Sequence, residues 1–275
     1  MRWRAIRDVT DHVRGVDMRY LVSVGLAAML SVSFVSAPAA LAARPAAQSD
    51  AHKAAALELA KLVNESNDMV GQVEKVLASI AAQAFSTDPN LVALKEEYPG
   101  IEKLFLDTMR PIMMDELQLM LPDYNAAVGA FFASHFTMAE IGELTTFWRS
   151  DAGQALMRSV SGHLDFAATS KELVGQMSGD QDLNVSGASV DADKRKAVVR
   201  GVRDLTPDQR IAVMRFGLTP TGRKMQTLVE QKNEIDRQWA NRDLSPGAEA
   251  RIERDIGEAL VNYIEAEERK RSAAQ

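Results

Sequence analysis

Histidine exchanges a proton near neutral pH and is the commonest metal ligand. Three histidines stand beyond the first 42 residues: His52, His135 and His163. His135 continues the helical spacing of Tyr124, Ala127, Val128, Phe131 and Phe132, and His163 falls with Val160, Leu164 and Ala167. Two readings are open. Both rings sit at the edge of a core with their nitrogens hydrogen-bonded, or they converge with Glu140 or Glu143 on a metal or proton-transfer site. Trp148 is the third candidate functional residue. It is either core or an interface anchor, and so is Trp239.

Beyond these, chemistry is sparse. The chain of 275 residues has no cysteine, hence no thiol nucleophile, Cys-ligated zinc or disulfide framework. It contains no His-Glu-x-x-His, no histidines paired at i, i+4, no aspartate-rich calcium loop and no Gly-x-Ser-x-Gly elbow. Gly217 and Gly222 read as helix-end and packing residues rather than a phosphate cradle. We therefore assign no catalytic, cofactor-binding or metal residues and expect no cofactor. A net charge of −6 argues against a basic nucleic-acid binder, and 46% hydrophobic with 25% charged residues excludes a disordered chain or a multi-span membrane protein.

The residues that would position any site lie on helices. No stretch sustains period-2 alternation, and segment after segment shows the 3.6-residue period. Ile101, Leu104, Phe105, Ile112, Met113, Leu117 and Leu121 form one stripe, and Ile252, Ile256, Ala259, Leu260 and Tyr263 another. Asp88-Pro89, Thr206-Pro207, Thr219-Pro220 and Ser245-Pro246 each place a capping side chain before a proline at the first helical position. Thr137 with Glu140 and Thr206 with Gln209 have capping-box spacing. Tyr98-Pro99-Gly100 reads as a turn. Pro111 should kink or divide its helix, and the Leu121-Pro122 step should end one helix and start the next. Met109, Met113, Met114 and Met120 around Pro111 read as core filling, with an apolar groove as the rival. At the far end, Glu265–Arg269 and Glu267–Arg271 are i, i+4 pairs on a solvated face.

The expected class is all-α, a multi-helix bundle. Residues 50–178 form a first helical module, 179–190 a linker or loop, and 191–272 a second module. The amino terminus reads as an export signal over 1–42. Arg14 and Arg19 precede an apolar run from Tyr20 to Val35, then Pro38 and the small-residue site Ala40-Leu41-Ala42. Met18 is an alternative start. Residues 43–49 should be a flexible mature amino terminus. The leader holds five arginines and three aspartates, leaving 27 basic against 35 acidic residues and no expected membrane span. The expected location is periplasmic or secreted.

An internal repeat is the strongest signal. A constant shift of 69 places Phe136 over Leu205, Thr137 over Thr206, Glu140 over Gln209, Leu144 over Val213, Phe147 over Phe216, Ser150 over Thr219 and Gly153 over Gly222. Each copy, 136–157 and 205–226, reads as a Thr-capped helix followed after a minimal turn by a Ser/Thr-capped helix. A glycine in the first turn of a helix costs about 1 kcal/mol relative to alanine, so it implies a backbone approach that leaves no room for a Cβ.

Phe136-Thr137, Glu140, Glu143-Leu144, Phe147-Trp148, Ser150 and Gly153-Gln154 resemble the signature F-T-x-x-E-L-x-x-L-x-x-F-Y-x-S-P-x-G-x-K. That signature belongs to the bacterial exported helical family called domain of unknown function 2059. With the helices before it, the resemblance covers Ala55–Ser178. Asp151 replaces the family's Pro, Trp148 its Tyr and Ala155 its Lys, while the second copy restores Thr219-Pro220-x-Gly222-x-Lys224. The resemblance implies an exported all-helical domain and no reaction.

These readings favour a non-enzymatic envelope protein that contacts another envelope protein or itself. One alternative is a carrier or chaperone with an apolar groove. The other is a hydrolase or metal enzyme assembled from separated residues that include His135 and His163.

Overall fold

A computed structural model describes residues 49–176 and 184–274. The leader 1–42, residues 43–48 and the first part of the linker, 179–183, lie outside the described residues. Every described element is helical, so the chain is an all-α multi-helix bundle.

Helices α1 (Asp50–Ser66) and α2 (Met69–Thr87) pack on α4 (Ile101–His135), with α3 (Pro89–Glu97) between. Then follow α5 (Met138–Arg149), α6 (Asp151–His163), α7 (Ala167–Gln176), α8 (Gly187–Asp204), α9 (Pro207–Gly217), α10 (Pro220–Thr227) and α11 (Val229–Ala240). Last come α12 (Pro246–Arg251), a π-helical turn at Ile252–Ile256, and α13 (Gly257–Ala273). One hydrophobic cluster runs from Ala56 to Ile264 and takes in residues on both sides of the linker.

The capping residues do locally what their types dictate. Asp88, Thr206, Thr219 and Ser245 each accept from a backbone N–H in the first turn of the helix they open. This leaves fewer orphan donors at helix ends that sit close together. The methionines Met109, Met113 and Met120 are buried in the core, while Met114 packs against it.

Helix α4 corrects one expectation. It runs unbroken for 35 residues through Pro111 and Pro122. Each proline removes the bond to the carbonyl four residues earlier, on Asp107 and Gln118. Both prolines and both of those residues are exposed, so solvent can take the freed oxygens. The opposite face, with Met109, Ile112, Met113, Leu117, Met120 and Tyr124, is fully packed and holds the helix together.

Two smaller corrections follow. The linker was expected to extend to 190, but α8 begins at Gly187 because Ser186 caps it by accepting from the Ser189 N–H. Glu172 of α7 accepts in turn from the Ser186 N–H and hydroxyl, so residues 186–190 open a helix. In the carboxy-terminal charge run, Arg269 pairs with Glu265, but Glu267 bonds Lys270. Arg271 instead reaches the Glu97 carbonyl and lies over the Tyr98 ring, fastening α13 to the end of α3.

Candidate functional site

The two motif segments fold into two helix pairs, α5/α6 and α9/α10, with matching local chemistry. Thr137 and Glu140 close a capping box, and so do Thr206 and Gln209. The Ser150 hydroxyl donates to the Phe147 carbonyl at 2.6 Å and accepts from the Gly153 N–H at 3.1 Å. The Thr219 hydroxyl does the same with Phe216 at 2.7 Å and Gly222 at 3.0 Å. A Cβ on Gly153 would lie well inside contact distance of the Phe147 carbonyl oxygen and 3.0 Å from Trp148 Cα. A Cβ on Gly222 would meet the Phe216 carbonyl in the same way and lie 3.0 Å from Gly217 Cα.

These pairs also face one another. Phe147 and Phe216 stack with centroids 3.9 Å apart and planes 5° from parallel. Around that stack α5 meets α10, and α9 meets α6. Lys224 donates to both Glu140 oxygens at 2.9 and 2.8 Å, and Thr221 donates to Glu143 at 2.6 Å. Reciprocally, Gln209 donates to Asp151 at 2.8 Å. Burial pushes the Glu140 carboxyl up, but the donors on Lys224 and Thr137 outweigh it and hold it below its ordinary value. Phe136, Leu144, Phe147 and Trp148 are buried, as is Leu205, whereas Val213 and Phe216 are only partly buried. Helix α9 has no buried residue at all. Its outer stripe, Ile211, Met214 and Leu218, is 53%, 67% and 66% exposed.

The histidines bond to different elements. His135 Nδ1 lies 2.8 Å from the Phe131 carbonyl within α4. His163 Nε2 lies 2.5 Å from Asp204 at the end of α8, and His52 Nε2 lies 2.8 Å from the Phe136 carbonyl. Glu140 and Glu143 are engaged by α10. Among the described residues, no group of three or more His, Asp or Glu is placed to hold a metal ion. Trp148 is core, and Trp239 packs edge-on against Tyr124 at 5.8 Å.

A polar cluster that the sequence did not reveal lies where α8, α11 and α4 meet. Lys232 and Asp236, one turn apart on α11, pair at 2.5 Å and are both buried. The Tyr124 hydroxyl of α4 donates to Asp236 at 2.8 Å and accepts from Lys232 at 2.9 Å. Burial, then the Asp236 charge, pushes the Tyr124 hydroxyl well above its ordinary value. Beside this triad Lys194 of α8 donates to Asn233 at 3.1 Å and is 3% exposed. Burial drags its amine down to about 8, with Asp236 pulling the other way and Lys232 adding to the fall. A cleft of about 100 Å³ opens onto Lys194 and is lined further by Asp191, Glu230, Asn233, Glu234, Asp236 and Arg237. In sequence, Lys232–Asp236 looks like any surface i, i+4 pair, and nothing in it points to Lys194 or Tyr124.

Comparison of the chain with protein-family models, with curated proteins and with solved structures finds no match.

Proposed function

We propose that this chain is an exported helical protein that works by protein contact and catalyses nothing, and that the outer stripe of α9 is its contact face. One observation carries the reading. A helix of eleven residues that buries none of them leaves Ile211, Met214 and Leu218 exposed at i, i+3, i+7, the spacing of a helix-pairing seam. The occupant we infer is the same face of a second copy, lying antiparallel. That register sets Ile211 against Met214 and brings Asp208 of each copy alongside Arg215 of the other, so two complementary charge pairs line one flank of the seam. A seam this short falls well below the standard interface of about 1,600 Å², so the association is weak and concentration-dependent.

The absence of cysteine makes the test clean. Met214→Cys introduces a unique thiol, and a short bismaleimide should cross-link it to dimer in proportion to protein concentration. Leu218→Glu in the same background should abolish the product. A monomeric product at every concentration would overturn self-contact.

Export is inferred from Arg19, the Tyr20–Val35 apolar run and Ala40-Leu41-Ala42. Mass spectrometry of the native protein should find a start at Ala43, and a full-length chain kept in the cytoplasm would refute it. We further infer that α5/α6 and α9/α10 are one unit used twice. The gap-free shift of 69, the matched caps and glycines, and a stack between the equivalent residues Phe147 and Phe216 support that reading.

A further inference from the structure

We propose that the cleft between α8 and α11 is a reactive-amine site, in which Lys194 captures a small uncharged aldehyde or ketone as an imine. The placement of the amine is the first argument. An ammonium has three donors, and Lys194 has one acceptor within hydrogen-bond distance among the described residues, Asn233 Oδ1 at 3.1 Å. Among the described residues no second protein acceptor bonds the nitrogen, and the residue lines a cleft. Burial without full pairing favours the neutral amine, which is the nucleophile.

The lining selects the electrophile. Four carboxylates, Asp191, Glu230, Glu234 and Asp236, face two cations, Lys194 and Arg237. Arg237 is already bound to Glu234 at 2.6 and 2.9 Å, and Asp236 to Lys232 and Tyr124. An anionic carbonyl compound would be repelled. About 100 Å³ is the room of roughly three waters at about 30 Å³ each, enough for a carbonyl compound of a few heavy atoms.

The chemistry balances without an added reagent. The Lys194 nitrogen lone pair attacks the carbonyl carbon as the C=O π pair moves to oxygen. A proton passes from nitrogen to that oxygen, giving a carbinolamine. Loss of water then forms the C=N bond. Asp191 and Glu230 line the same cleft and can carry the proton.

Around the Lys194 amine, Asp191 lies on α8 itself, Glu230, Lys232 and Asp236 on α11, and Tyr124 on α4 beneath the Lys232–Asp236 pair. Three other charged groups along α8 are engaged by residues of α6, of α7 and of the turn between them, while Arg195 and Arg200 are exposed. Asp204 is held by His163, Lys196 by Asp165, and Asp193 by the N–H and hydroxyl of Thr169.

The test is reductive alkylation of the full chain with propionaldehyde and cyanoborohydride, followed by peptide mapping of every lysine. With an amine at about 8 against about 10.4 for an ordinary lysine, Lys194 carries on the order of a hundredfold more neutral amine at pH 7. Restricted access and lower basicity reduce that lead, so the expected preference is at least about tenfold at pH 7, shrinking as pH approaches about 10. Omitting the hydride should leave no adduct after dialysis, as a reversible imine requires. Labelling of Lys194 no faster than the exposed lysines would overturn the proposal, and so would an adduct that survives without hydride.

Discussion

Helix pairs α5/α6 and α9/α10 share their caps, turn and glycine yet sit differently in the molecule. Helix α5 buries Ile141, Leu144, Phe147 and Trp148; α9 buries nothing. At the equivalent positions α9 carries Arg210, Val213, Phe216 and Gly217. Conversely, its outer residues Ile211, Met214 and Leu218 correspond to Gly142, Thr145 and Arg149 in α5. Capping and turn geometry are settled by side chains within three residues, so they survive a change of surroundings. Burial is settled by what lies across the interface, and there the two helix pairs differ. One pair anchors the core, and the other turns an apolar stripe outward.

Replacing either motif glycine by alanine tests the shared half of that comparison and should give the largest effect. Helix propensity alone predicts a gain of about 1 kcal/mol for Gly153→Ala. The added methyl meets the Phe147 carbonyl, a backbone atom that cannot swing aside, so the sign should reverse to a loss of about 3–4 kcal/mol. Gly222→Ala should reverse in the same direction, against the Phe216 carbonyl. Urea unfolding reads both. A stabilised protein in either case would show that the turns do not approach as closely as described.

Truncating equivalent apolar residues tests the half that differs. Leu144 is fully buried, so Leu144→Ala should cost about 2–4 kcal/mol in urea unfolding. Val213, its counterpart 69 residues on, is only partly buried, and Val213→Ala should cost under about 1 kcal/mol. Equal losses would mean that α9 is as firmly embedded as α5.

What could be read in the sequence follows the same division. Thr137, Ser150, Thr206, Thr219 and Ser245 were legible as caps because the cap oxygen and the N–H that donates to it lie three residues apart. A helix break at Pro111 or Pro122 does not follow from the sequence because a proline's cost depends on which face of the helix carries the freed carbonyls. For His135 and His163 the partner decides the role: the Phe131 carbonyl lies four residues from one, and Asp204 lies 41 from the other. The polar cleft was illegible. Lys194, Lys232, Asp236 and Tyr124 come from three helices, and the i, i+4 spacing of Lys232 and Asp236 is common to any solvated helix.

The smallest expected effect concerns the capping boxes, where the two helix pairs differ by one charge. Glu140 accepts from the Thr137 N–H and also from Lys224; Gln209 accepts from the Thr206 N–H at 3.0 Å and donates to Asp151. Glu140→Gln should keep the box, as Gln209 does, and lose the charge pairing. Lys224 is 38% exposed, so solvent screening limits the loss at neutral pH to about 1 kcal/mol or less. The pH dependence identifies its origin. The folded carboxyl lies below its unfolded value of about 4.3, so its contribution is complete above that value and fades as pH falls through the folded value. The stability gap between wild type and Glu140→Gln should therefore be full near about pH 6 and close towards about pH 3. Gln209→Glu should do the reverse. It sets a second carboxylate against Asp151, with no lysine to offset it because Ala155 stands where the α9/α10 pair has Lys224. Like charges raise the folded value, so that variant should be destabilised at neutral pH and recover as pH falls. Two parallel pH profiles would mean that the boxes act through hydrogen bonds alone and that the charge difference between the two helix pairs carries no energy.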